Sequence, residues 1–350
     1  MNVMVTGSAG YIGSHTTAAL LRAGHHVTGI DNFFRGHRAA VELCARVAPD
    51  RLVFHECDLG DTSRLTVVLR ERHIEAVLHF GAMAYVGESV DQPLKYYKAN
   101  TAGTVSLLEA CAATGVSRLV FSSSCSTYGD VPAQRVPVAE DAPQDPQSPY
   151  ARTKVQCEQV LADFAFERRR VGGAGKPFDW RALRYFNVAG CDRSGVLGED
   201  HTPETHLIPN VLRAALGLIE AVDLFGTDYP TPDGTCVRDY IHVDDLADAH
   251  LTALAALRPD APSAERVPAY NLGIGRGYSV KQIIEAAERV TRKKIPVRIK
   301  PRRAGDVAQV FANPGKIARE LGWHAKITDL DEIITSAWRW MQAHPNGYRS

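Results

Sequence analysis

The sequence predicts an α/β protein built on a doubly wound parallel sheet, and three observations carry that prediction. A short apolar run, Asn2 to Thr6, leads directly into Gly7-Ser-Ala-Gly10-Tyr-Ile-Gly13 and then into a helical pattern stopped by Gly24. Short apolar runs then alternate with helical patterns as far as Phe186, which is how parallel strands joined by crossover helices read in sequence. The second run ends in an acidic residue, Asp31, about 20 positions beyond the glycines. With 350 residues the chain can bury one large core, or a main domain and a smaller partner.

The opening strand, turn and helix form a Rossmann-type dinucleotide cradle. Gly7 allows the tight turn, Gly10 lets the backbone approach a pyrophosphate, and Gly13 permits close helix–strand packing. The N–H groups and dipole of the helix start, through Tyr11 and Ile12, then face the phosphates. The second strand, His26 to Ile30, delivers Asp31 and Asn32. A carboxylate there bonds ribose hydroxyls and repels a 2′-phosphate, which favours NAD over NADP. Arg35 and Arg38 follow closely and read as solvated loop and helix residues. The third strand, Leu52 to Cys57, brings Asp58 and Leu59 to the same sheet edge, where adenine can lie; Asp58 or Asp61 also suits a helix N-cap.

Glu75 to Phe80 is the fourth strand, and the small residues Gly81-Ala82-Met83-Ala84 after it allow close backbone approach to a ligand. A helix interrupted at Pro93 carries Asn100. Arg118 to Ser122 is the fifth strand and runs into Ser123-Ser124, a hydroxyl-rich tip at the end of a parallel sheet where ligands bind. Asp130 to Gln147 reads as a surface loop. A helix from Tyr150 to about Arg170 ends in three arginines, which suit its negative terminus. After a loop at Gly172–Pro177, Trp180 to Phe186 is a sixth strand; beyond it the alternation loosens, with one return to the sheet at Ala269–Gly273.

Composition removes several classes of function. Forty acidic and forty basic residues cancel, so no global field draws the chain to nucleic acid or to a membrane. No uninterrupted apolar run approaches the ~20 residues of a membrane span, and the N-terminus lacks the build of a signal peptide. Seven cysteines form no C-x-x-C pair and leave an odd one, which fits a reduced, cytoplasmic protein. His201 and His206 sit among Glu199, Asp200 and Glu204, but their five-residue separation matches no standard ligand spacing, so no metal is expected.

The chemistry is placed at Ser148-Pro-Tyr150-Ala-Arg-Thr-Lys154. If Pro149 opens a helix, Tyr150 and Lys154 project from one face. Free tyrosine titrates near ~10, so a phenolate base working near neutrality needs a shift of about three units, roughly 4 kcal/mol. An exposed pair one turn apart supplies only about 0.3–0.5 kcal/mol. A cation at ~4 Å in an effective dielectric of ~20 supplies about 4 kcal/mol, so the pair works only in a partly closed site. By itself, Tyr-x-x-x-Lys is also common on solvated helices.

Read together, these motifs resemble the extended short-chain dehydrogenase/reductase family, and within it the enzymes that invert carbon four of UDP-sugars. The general marks are Gly7-x-x-Gly10-x-x-Gly13 and Tyr150-x-x-x-Lys154. Narrower ones are Val86-Gly-Glu-Ser89, Phe121 to Asp130, Arg184-Tyr-Phe-Asn187, Phe225 to Thr235, Val237-Arg-Asp-Tyr-Ile-His-Val243 and Pro301-Arg-Arg-Ala-Gly-Asp306. The resemblance covers nearly the whole chain. It implies an NAD-binding domain over 1–186, with returning segments near 240–275, and a mainly UDP-sugar-binding domain over 187–350.

The implied activity is exchange of UDP-glucose and UDP-galactose through a 4-keto sugar. Tyr150, Lys154 and Ser124 would be catalytic. Gly7, Gly10, Tyr11, Ile12, Gly13, Asp31, Asn32, Asp58, Leu59, Phe80, Gly81, Ala82, Asn100, Ser122 and Phe186 would join Tyr150 and Lys154 around NAD. Asn187, His206, Leu207, Asp223, Phe225, Arg238, Tyr240, Arg303, Asp306 and Val310 would face the substrate with Ser124 and Tyr150. The nucleotide must be gripped while the hexose turns over, so binding energy belongs on UDP, where arginine forks suit a diphosphate.

Some positions depart from the family pattern. Ala84 and Ala99 replace longer polar residues, and His206 stands where asparagine is common, which would make binding pH-sensitive. Val310 replaces a bulky tyrosine and leaves room for N-acetylated UDP-hexosamines. Rival readings are a UDP-pentose 4-epimerase, a dehydratase, and a non-catalytic NAD-sensing regulator. Cys125-Ser126 stands where a dehydratase resembling this family carries an Asp-Glu pair, and a regulator would be expected to lose Tyr150, Lys154 or Ser124. Family habit implies a homodimer through a four-helix bundle, here Leu94–Thr114 and Tyr150–Arg168 of each copy.

Overall fold

The computed structural model describes residues 1–170, 177–303 and 306–349. Residues 172–176 of the expected loop and 304–305 of the Pro301–Asp306 motif lie outside the described residues. The first half of the chain runs β1 (Asn2–Thr6), α1 (Tyr11–Arg22), β2 (His26–Asp31), α2 (Arg38–Val47), β3 (Leu52–Glu56), α3 (Thr62–Glu71), β4 (Ala76–His79), α4 (Val86–Asp91), α5 (Pro93–Tyr96), α6 (Gly103–Thr114), β5 (Arg118–Ser124), α7 (Pro149–Arg170) and β6 (Asp179–Tyr185). Then come β7 (Asn187–Ala189), α8 (Leu207–Leu216), β8 (Val222–Phe225), β9 (Val237–Arg238), β10 (Tyr240–His242), α9 (Val243–Ala255) and β11 (Ala269–Leu272). The chain closes with β12 (Tyr278–Ser279), α10 (Val280–Thr291), β13 (Val297–Lys300), β14 (Gln309–Val310), α11 (Gly315–Leu321) and α12 (Leu330–Ala343).

Seven strands form the main sheet in the order β11-β6-β5-β4-β1-β2-β3. The pairs β1–β2, β2–β3, β1–β4 and β4–β5 are parallel. From β1 the chain builds outward through β2 and β3, then crosses back to β4 and builds the other way. Right-handed crossovers therefore place α1 and α2 on one face and α3, α6 and α7 on the other. The reversal between β1 and β4 opens a crevice at their carboxyl ends, the ligand position of a doubly wound sheet. The expected α/β Rossmann-type class is the observed one.

The chain divides into two compact units, Met1–Gly129 with Pro143–Arg184 and Ala247–Tyr270, and Asp130–Ala142 with Tyr185–Leu246 and Asn271–Ser350. In the first unit, Met4, Ile30, Leu65, Val77, Leu107, Leu119, Leu161 and Trp180 share one buried cluster between the sheet and α3, α6 and α7. In the second unit α8, α10 and α12 pack around Leu212, Ile283, Ile333 and Trp340. Short pairings surround them: β7 with β10, β8 with β13, and β9 between β12 and β14. Among the described residues no helix is long and apolar enough to cross a membrane.

Candidate active site

The glycine turn is a cradle that side chains would fill. Gly7 has a φ of +69°, and a Cβ there would lie 2.8 Å from the Gly81 N. A Cβ on Gly13 would stand 2.0 Å from the Gly7 carbonyl oxygen, so α1 starts closer to β1 than any side chain permits. Gly10 is the extended N-cap of α1, and no side chain caps the helix start. The N–H groups of Ile12 and Gly13 have no intrahelical acceptor. A partly buried backbone surface that no side chain covers, carrying a positive dipole end, fits the pyrophosphate of a dinucleotide.

Asp31 ties that turn to β2. Its Oδ2 accepts the Ala9 N–H at 3.0 Å and its Oδ1 the Phe33 N–H at 2.8 Å. Burial raises its pKa while these backbone donors work against the rise. Asn32 Nδ2 donates to Asp58 Oδ2 at 2.7 Å, which joins the loops after β2 and β3. Asp61, not Asp58, caps α3, and Asp58 Oδ1 accepts the Gly60 N–H instead. Leu59 packs where a Cβ on Gly81 or Gly103 would go. Arg35 departs from the expected solvated residue. It bonds Glu88 Oε1 at 3.0 Å and lies over the rings of Phe34 and Tyr85, because Glu88 of α4 folds back beside it.

Asn100 lies in a π-helical turn, Tyr97–Ala102, between α5 and α6. Its Oδ1 accepts the Met83 N–H at 2.8 Å, and its Nδ2 donates to the Met83 carbonyl at 3.0 Å and to Thr153 Oγ1 at 2.9 Å. One amide thus fixes the small-residue loop after β4 against α7. The extra residue of the π turn is what re-aims it.

Pro149 opens α7 as expected, and both Tyr150 and Lys154 are buried. Lys154 Nζ donates to the Ser122 carbonyl at 2.7 Å and lies 5.9 Å from the centre of the Tyr150 ring. Burial lowers the Lys154 pKa to about 8 against the smaller opposing pull of Cys157 and Glu158. The ammonium therefore keeps its charge at neutral pH with no carboxylate bonded to it. β5 extends past its expected end at Ser122 to Ser124. Ser124 Oγ accepts the Ser126 N–H at 3.1 Å and the Ser126 O–H at 2.9 Å.

Sequence reading missed what holds this group in place. Glu158, one turn beyond Lys154, accepts from Arg184 Nε at 2.9 Å and Nη2 at 2.6 Å. It also accepts from the Ser123 hydroxyl at 2.6 Å and from Gln144 Nε2 at 2.9 Å. Arg184 Nη1 reaches the Tyr128 hydroxyl at 2.9 Å. The fully buried His79 bridges Thr6 Oγ1 and Thr104 Oγ1 at 2.7 and 3.0 Å. Burial, with Lys154 adding to it, pushes its pKa down to about 3, so it is a neutral structural link.

The expected substrate residues lie in the second unit, apart from Ser124 and Tyr150. Arg303 Nη2 and Arg238 Nη2 approach one carboxylate oxygen, Asp306 Oδ1, at 2.9 and 3.7 Å. Val310 pairs with Arg238 in register, and Arg303 lies over the exposed Phe225 ring. Asp223 shares the exposed face of β8 with Phe225 and stands 3.8 Å from Arg298. Asn187 pairs with Tyr240; Asn187 is exposed and Tyr240 buried, while Phe186 beside it is buried. His206 and Leu207 stand at the start of α8. The expected pH sensitivity of His206 is corrected. Burial opposes the charge, but bonds to Glu199 and Glu204 outweigh it and hold the imidazole protonated well above neutrality.

A family model described as "NAD dependent epimerase/dehydratase family" matches residues 3–273. The chain is 42% identical to a UDP-glucose 4-epimerase from Lacticaseibacillus casei, over 99% of both chains. It is 43% identical to UDP-arabinose 4-epimerase 1 of Arabidopsis thaliana, over 99% of this chain and 81% of that protein. The crystal structure of a UDP-glucose 4-epimerase from Stenotrophomonas maltophila, with bound NAD and formylated UDP-arabinopyranose, superposes with a TM-score of 0.91 at 42% identity, covering 99% of each chain.

Proposed function

Because this chain belongs to the NAD dependent epimerase/dehydratase family, we propose that it is an NAD-dependent UDP-sugar 4-epimerase that interconverts UDP-glucose and UDP-galactose. The observation that carries the proposal is a buried, charged Lys154 one turn from Tyr150 on α7, beside the hydroxyl-bearing tip of β5. The glycine turn, Asp31 and Lys154 would hold NAD, which when bound supplies the hydride acceptor and donor. Tyr150 Oη, as phenolate, takes the proton of the 4-hydroxyl as that carbon is oxidised. It returns the proton to the same oxygen when the 4-keto sugar is reduced. Ser124 would hydrogen-bond that oxygen and relay its proton, and the Lys154 charge favours the phenolate. Asn187, Arg238, Arg303 and Asp306 hold the uridine diphosphate, so grip stays remote from the reacting carbon.

The test is incubation with a panel of UDP-sugars and chromatographic separation of the 4-epimers. Conversion of UDP-galactose to UDP-glucose with no added cofactor is expected; no conversion of any UDP-sugar would end the proposal. The plant relatives favour a second reading, UDP-arabinose as substrate, and UDP-arabinose belongs in the panel. The small Val310 supports turnover of UDP-N-acetylglucosamine too, which the same panel decides. We further propose a cytoplasmic homodimer serving galactose metabolism. The seven free thiols support a reducing compartment. Exposed Val90, Leu94, Val105 and Phe166 on α4, α5, α6 and α7 support a helical dimer face.

A further inference from the structure

In the second unit, the segment between β7 and α8 carries Glu199, His201, Glu204 and His206. The spacing of the two histidines alone argued against a metal. Folding supplies what spacing lacks, since one ligand atom from each of the four lies within 4.8 Å of the others. His201 Nδ1 is 3.2 Å from Glu199 Oε1 and 3.6 Å from Glu204 Oε2. His206 Nδ1 is 3.0 Å from Glu199 Oε1 and 2.8 Å from Glu204 Oε1. A tetrahedral zinc ion with bonds of about 2.0–2.1 Å separates its ligand atoms by about 3.3–3.4 Å, a value inside the observed spread.

The donor set and its charge point the same way. Two imidazole nitrogens with two carboxylate oxygens suit zinc better than magnesium or calcium, and two carboxylates neutralise a divalent ion. Glu199 is buried, at 8% exposure, so water does little for its charge. Glu204 is aimed in advance: its Oε1 accepts the backbone N–H groups of Thr205 and His206, each at 2.8 Å. We propose that Glu199, His201, Glu204 and His206 form a zinc-class divalent cation site that staples the 199–206 segment to the start of α8. The inference does not rest on which sugar is turned over.

Holoenzyme stripped of adventitious metal with a chelator is titrated with zinc chloride near neutral pH, desalted, and assayed for metal by mass spectrometry. The expected result is about one zinc per chain. Glu199→Gln and His201→Gln should each weaken retention at least tenfold, and magnesium should not be retained. No zinc retained at micromolar concentration, or equal retention by wild type and both variants, overturns the proposal. Cobalt substitution of the wild type gives a readout independent of variant folding. Visible bands of a four-coordinate nitrogen and oxygen site support the assignment, whereas a sulfur charge-transfer band would place the ion on cysteines and refute it.

Discussion

Replacing Glu158 by Gln tests how the proton-transfer helix is held. The carboxylate is 1% exposed and its partner Arg184 side chain 5% exposed, so neither charge has water to fall back on. The substitution keeps the shape but leaves a buried guanidinium uncompensated, and it turns amide hydrogens toward donors on Arg184 and Gln144. Breaking one side of a buried pair costs about 3–5 kcal/mol. At a urea slope of about 3 kcal/mol per molar, the unfolding midpoint should fall by about 1 M or more. Arg184→Met alone should cost a similar amount by stranding the carboxylate. The double variant strands neither charge, so its cost should fall short of the sum of the singles by at least ~2 kcal/mol. Urea denaturation of the four proteins followed by circular dichroism supplies the cycle. A Glu158→Gln penalty below ~1 kcal/mol, or strictly additive singles, would refute the idea that this pair anchors α7 to β5 and β6.

Tyr150→Phe should lower kcat by about 10²–10⁴-fold while NAD stays bound; unchanged turnover would remove the tyrosine from the chemistry. Lys154 links function to stability with a defined sign. Its folded pKa of about 8 lies below the ordinary 10.5, so burying the ammonium costs stability below about 8, and the cost fades as pH rises toward 10.5. That gap corresponds to about 3 kcal/mol. In cofactor-stripped protein Lys154→Met should therefore raise stability at neutral pH, lose the gain near the alkaline end, and abolish turnover; a less stable variant at neutral pH would contradict this. Gly13→Ala sets a Cβ 2.0 Å from the Gly7 oxygen and should leave the purified protein without NAD, read by absorbance after denaturation. Leu94 is 81% exposed on the proposed dimer face, so Leu94→Glu should shift a dimer to monomer in gel filtration, and a wild type already monomeric would sink that interface.

The main sheet was legible because its signals are local. A glycine turn between a strand and a helix, and apolar runs of regular spacing, need no distant partner to be read. Strand ends were less so: β5 reaches Ser124 and β4 stops at His79, since pairing with neighbours decides where a ladder ends. The supporting contacts were invisible for the same reason. Glu158 meets Arg184 and Ser123 across 26 and 35 positions, and Arg35 meets Glu88 across 53. The π turn at Tyr97–Ala102 reads as ordinary helix, because its bulge follows from where Asn100 must bond, not from any helix-breaking residue. At the His201 cluster, Glu199 and Glu204 were visible as neighbours, but spacing along the chain does not show that folding brings one ligand atom of each residue within 4.8 Å of the others.

These contacts explain how Lys154 remains a usable charge. An ammonium buried among hydrophobic neighbours would ordinarily take the nearest carboxylate, and Glu158 stands one turn away on the same helix. Arg184 prevents that by occupying both oxygens of Glu158, with Ser123 and Gln144 completing its bonds. Lys154 is left with a neutral carbonyl at Ser122, and the buried His79, whose pKa is pushed down to about 3 by burial and by Lys154, is uncharged. Its field therefore acts outward on Tyr150 instead of being cancelled inside the core. On this account the Glu158–Arg184 pair is needed less for the strength of its own attraction than for keeping a second, unpaired cation beside the phenol.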